Sequence, residues 1–122
     1  MSEKKPQNQI DYIEFPSRDI GRDRDFYRSV FGWRFEDYGP RYTSFSDGRL
    51  SGGFTMERTP PASGVIVVLY ADDLVSAEQR IRNAGGVIVK ETFSFPGGRR
   101  FHFTDPSGNE LAVWSDVDSV GA

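Results

Sequence analysis

The chain has 122 residues, no cysteine and a formal net charge of −3; that length suits one domain, and the missing thiols exclude a disulfide framework, a thiolate metal centre and a cysteine nucleophile. Acids and bases are interspersed, with Arg22 and Arg24 alternating with Asp23 and Asp25, so no basic stripe exists to meet a phosphate backbone and nucleic acid is not an expected partner. No apolar run approaches the ~20 residues that a membrane helix needs, and the polar start of the chain lacks the apolar stretch of a signal peptide; the expectation is a cytoplasmic protein with no membrane partner.

Residues 1–9 read as a flexible polar tail. Residues 10–16 alternate apolar and polar side chains and stop at Pro16, the pattern of a strand. From Ile20 onward Phe26, Tyr27, Val30 and Phe31 fall on one helical face, and Gly32 supplies the stop. Strands are expected at 33–38, 41–45 and 50–56, with turns at Tyr38-Gly39-Pro40 and Asp47-Gly48. Residues 57–63, rich in proline and small polar residues, read as a linker.

The second half repeats this order. A strand runs through Val67-Val68-Leu69, and a helix places Leu74, Ala77, Ile81 and Ala84 on one face. Asp72 or Asp73 can cap its start, and Gly85 can end it. Strands follow at 86–95, 99–104 and 110–115, and residues 116–122 read as a C-terminal tail. Asp19 and Asp73, like Gly32 and Gly86, are separated by one offset of 54 residues. The pattern is βαβββ twice, an α+β domain over 10–115 with module one at 10–56 and module two at 64–115. Each module covers one sheet face with its helix, so the other face needs the second module or a second chain.

Several stretches carry a resemblance to a known family: Glu14-Phe15-Pro16, Asp25-Phe26-Tyr27-x-x-Val30-Phe31-Gly32-Trp33, Ala84-Gly85-Gly86 and Phe103-x-Asp105-Pro106-Ser107-Gly108-Asn109-x-Leu111. On them the chain resembles the vicinal oxygen chelate superfamily of glyoxalase I, extradiol dioxygenases, fosfomycin-resistance and bleomycin-binding proteins. The resemblance implies two βαβββ modules forming a curved mixed sheet around a cavity, helices on the outer face, commonly in a homodimer. It also implies one divalent metal held by His and Glu side chains on strand positions. Those positions fall on Ile10 or Tyr12, on Ile66 and on Ala112, and residues 50–56 contain no His, Asp or Glu. With one histidine in the chain, a two-His-one-carboxylate triad cannot form within it. The expectation is therefore no metal and no cofactor.

Strand alternation then sorts the cavity-facing side chains. Tyr12 and Glu14 share a face, as do Tyr70 with Val68, His102 with Thr104, and Trp114 with Glu110 and Ala112, while Phe101, Phe103, Leu111 and Val113 turn to the core. Tyr12, Tyr70 and Trp114 are candidates to stack on a planar ligand, and Arg100, beside Gly97-Gly98, to clamp an anion. Glu14 and His102 are the candidate acid/base residues; each also has a plain structural reading, Glu14 paired with an arginine and His102 in hydrogen-bonded packing. The functional expectation is a metal-independent protein that binds a small organic molecule as a homodimer. Three alternatives stay open: a metal-dependent lyase or dioxygenase with ligands in another register, a metal-free enzyme using Glu14 and His102, and a cavity filled by its own side chains in a dimerising partner module.

Overall fold

Each half of the chain folds as strand, helix and three strands in the computed structural model, which describes residues 7, 10–60 and 65–117. Module one comprises β1 (Tyr12–Pro16), α1 (Ile20–Phe31), β2 (Arg34–Asp37), β3 (Tyr42–Ser46) and β4 (Ser51–Thr55). Module two comprises β5 (Val67–Tyr70), α2 (Leu74–Asn83), β6 (Val87–Phe95), β7 (Gly98–Thr104) and β8 (Glu110–Ser115). The α+β class and both βαβββ modules stand as the sequence led one to expect. Each module forms a four-stranded mixed sheet, ordered β1-β4-β3-β2 and β5-β8-β7-β6, with β1–β4 and β5–β8 parallel. Most of the residues assigned to the terminal tails, and residues 61–63 of the linker, lie outside the described residues.

The helices begin for the same local reason. Asp19 and Asp73 sit in extended conformation at the two N-caps and accept from the amides of Arg22 and Ser76, at 3.0 and 3.1 Å. Each bond satisfies one of the donors that the first helical turn leaves without a partner. The ends differ. Gly32 is left-handed at φ 73° and closes α1, whereas in module two the left-handed residue is Gly85, at φ 99°. The counterpart of Gly32 is thus Gly85, not Gly86. Gly86 instead packs against Ile81 and Phe26, where an added Cβ would lie 2.6 Å from Ile81.

One apolar core runs through both modules. Phe15, Phe45, Phe54, Tyr27 and Trp33 meet in module one, and Leu74, Ala77, Ile81, Phe101, Phe103, Leu111 and Val113 in module two. The halves are joined through Phe103, whose ring lies 6.3 Å from Phe26 and 6.1 Å from Phe31.

A buried polar network pins the same junction. Asp105 accepts from the amides of Ser107 and Asn109, from the Asn109 side chain and, at 3.0 Å, from the Tyr27 hydroxyl. Asn109 Nδ2 also donates across the modules to the Pro16 carbonyl at 2.8 Å. Asp23 Oδ2 accepts from Ser17 and Ser107 at 2.6 and 2.5 Å, while its Oδ1 finds no hydrogen-bond donor among the described residues and has Arg22 Nε 3.8 Å away. Burial pushes both carboxyls up, Asp105 to about 6. The Asp-Pro-Ser-Gly-Asn turn is therefore a clasp between the modules.

Candidate functional site

The sheet faces turned from the helices carry the polar and aromatic residues that strand alternation singled out. On the first sheet Tyr12 pairs with Ser51 and Glu14 with Gly53, and Gly53 pairs in turn with Ser44. The Tyr12 and Tyr42 hydroxyls form a hydrogen bond over Gly53, and Tyr42 donates to Glu14 Oε2 at 3.2 Å. Gly53 is required by this closeness: a Cβ there would lie 2.2 Å from the Tyr42 hydroxyl and 2.7 Å from that of Tyr12. Burial, then the bond to Tyr12, raises the Tyr42 phenol above its ordinary value, so it stays protonated and serves as a donor. Glu14 also faces Arg58 Nη1 at 3.6 Å. Beside this network an open depression of about 460 Å³ is bounded by Tyr12, Tyr42, Tyr38, Arg34 and Glu36.

The second sheet presents a continuous wall. Tyr70 meets Trp114 edge-on at 5.2 Å between ring centroids, and Trp114 lies 6.3 Å from Phe95. The Arg100 guanidinium stands 5.5 Å from the centre of Phe93 and 5.9 Å from that of Phe95. Phe93 is 5.8 Å from the His102 ring, and Lys90 Nζ lies 4.6 Å from the centre of Phe93. His102 is 8% exposed, and its Nδ1 bonds Glu110 Oε2 at 2.8 Å. Two buried nitrogens on this wall, Arg100 Nε and His102 Nε2, have no hydrogen-bond partner among the described residues. Tyr70 donates to Asp116 at 2.7 Å and to Asp72 at 3.0 Å, and these acceptors raise its phenol pKa.

Where the modules' edge strands approach, a cleft of about 690 Å³ opens between β1 and β5. Ile13, Phe15, Phe31, Trp33 and Leu69 line it, with Tyr70 and Trp114 at its second-sheet side and Asp47 and Arg49 supplying charge. An apolar cleft with a few polar groups is the usual form of a small-molecule site.

Tyr70, Trp114, Arg100 and His102 thus share one wall, while Tyr12 and Glu14 belong to the other sheet. The two candidate acid/base residues are engaged separately: Glu14 with Tyr42 and Arg58, His102 with Glu110. Sequence reasoning missed Tyr42, which shares a face with Ser44 by alternation, and missed Phe93 and Phe95. In β6 the register against β7 shifts by one residue between Ile88 and Lys90 and by one more between Lys90 and Phe93, so alternation fails at Lys90 and is restored at Phe93 and Phe95, which share the parity of Val87.

The donor set does not fit a divalent ion. Tyr12 is bonded to Tyr42, Ala112 pairs with Val68 and His102, and Ile66 offers no donor. The β4 residues Ser51, Gly53 and Thr55 bring no imidazole or carboxylate to the Tyr12 face. Among the described residues no group of three or more His, Cys, Asp or Glu is placed to share an ion.

A family model described as the Glyoxalase/Bleomycin resistance protein/Dioxygenase superfamily matches residues 9–113. The chain is 31% identical over 132 residues to the anthracycline biosynthesis protein DauV of Streptomyces sp. (strain C5), a match covering 91% of this chain and 48% of that protein. It therefore spans about half the length of that relative. Among solved structures it is similar to the fosfomycin resistance protein FosX from Mesorhizobium loti, at 18% identity over 88% of this chain and 92% of that one, TM-score 0.73. Lactoylglutathione lyase from Agrobacterium tumefaciens is similar at 20% identity over 91% and 96%, TM-score 0.69. At these identities the structural likeness is one of fold.

Proposed function

The chain belongs to the glyoxalase/bleomycin resistance protein/dioxygenase superfamily, and from that premise we propose that it binds a small organic molecule without a protein-held metal. The observation that carries this reading is the replacement of metal donors by side chains suited to ring stacking and hydrogen bonding. The tyrosine pair closes over Gly53 on one sheet, and the Tyr70–Trp114–Phe95 wall stands on the other. The Streptomyces relative bears the name of an anthracycline biosynthesis protein, which makes planar polycyclic compounds the first class to screen.

We further propose a cytoplasmic homodimer. Val68 and Tyr70, on the sheet face turned from the helices, are 39% and 48% exposed, and a second copy laid against that face would bury them and enclose the ligand. A thermal-shift screen of planar polycyclic compounds tests the reading. A binder raises the melting temperature by mass action, about 2.7 kcal/mol of stabilisation at a hundred times Kd. A library of several hundred such compounds with no concentration-dependent shift would contradict it.

A further inference from the structure

We infer that the ligand of the second-sheet wall is a planar aromatic molecule bearing an anionic oxygen group, its ring against Phe93, Phe95 and Trp114 and its anion on Arg100. The inference rests on the small-molecule reading above and names the class of ligand.

Arg24, Arg41 and Arg58 each face a carboxylate. Arg100 has none among the described residues, and its Nε is buried with no acceptor. A buried donor without an acceptor is costly, and more so when charged. Beside two phenyl rings a guanidinium keeps N–H donors at its edge, and a carboxylate or phenolate oxygen is the matching acceptor for them. Lys90 adds positive charge over the same Phe93 ring.

His102 supplies the second unfilled contact. It is more than nine-tenths buried, and with Nδ1 bonded to Glu110 its Nε2 has no partner among the described residues. A polar group of the ligand beside the anion would supply that partner. Glu110 is bonded to His102, and Asp72 and Asp116 to Tyr70; none of them is ion-paired with Arg100 among the described residues. Rings and unspent positive charge side by side select a flat anion over a flat neutral molecule.

Calorimetric titration with 2-naphthoate and with its neutral isostere 2-naphthamide tests the assignment. The native protein should bind the carboxylate about tenfold more tightly than the amide. R100Q, checked for a cooperative melt, should bring the two within about threefold, and R100K should keep part of the preference through its charge. Equal affinities in the native protein would overturn the inference while leaving the small-molecule reading intact. A preference that survives R100Q would overturn the role given to Arg100. Failure of both probes to bind would count against the reading and the inference together.

Discussion

At the scale of single residues, Gly53 and Asp105 are each closely held by their neighbours. A methyl group at 53 would collide with both tyrosine hydroxyls, so G53A should cost about 1–3 kcal/mol as an overpacking change. Y42F, which only deletes hydrogen bonds of a half-buried hydroxyl, should cost under about 1.5 kcal/mol. Urea unfolding of the two variants decides this, and a neutral G53A would contradict the close fit of the tyrosine pair over Gly53. D105N replaces an oxygen that accepts from Tyr27 and Asn109 with an amide that can only donate there, or else turns that amide toward the backbone donors. The loss should be at least about 2 kcal/mol. Much of this chemistry was legible in the sequence: alternation set Tyr12 and Glu14 on one face and Tyr70, His102 and Trp114 on the other module's. The partners were not legible, because Tyr42–Tyr12 and Asp105–Tyr27 contacts join residues 30 and 78 apart, and no local pattern reports such pairings.

Among the elements, the two helices show how far local signals reach. Their N-caps were readable as Asp19 and as one of the pair Asp72 and Asp73, because a short acceptor side chain ahead of an apolar stripe has one favourable use. D73A should destabilise the protein by about 1 kcal/mol, and the exposed D72A by much less, in the same urea titration; equal effects would contradict the cap. The offset of 54 holds at the starts and fails at the ends, since Gly85 rather than Gly86 takes the left-handed position. β6 marks the limit of reading by period. Its two register shifts decide which residues meet β7, and a bulge is fixed by tertiary pairing rather than by the strand's own sequence. Lys90, between the two shifts, is the residue that alternation misplaces; Phe93 and Phe95 keep the parity of Val87, which pairs with Thr104, so alternation carried along β6 reaches them.

For the molecule as a whole, the clasp between modules predicts an unusual pH response. Asp23 and Asp105 are both raised by burial, Asp105 to about 6, so the folded protein takes up protons that the unfolded chain releases. Their stabilising contribution is fully present below the unfolded value near 4 and is lost as pH rises through about 6. The melting temperature should therefore climb as pH is lowered from about 7 toward 5, and a steady fall over that range would contradict the raised carboxyls. The βαβββ repeat made the architecture legible from sequence because caps, turns and apolar faces recur in order in both halves. The site was less legible, since the same frame carries different chemistries and only side-chain contacts separate them. On the proposed function, this frame works with tyrosines and an aromatic wall in place of a metal centre. Elemental mass spectrometry of untagged protein, purified without chelator, should then find far less than one divalent ion per dimer, and about one per chain or per dimer would contradict the proposal.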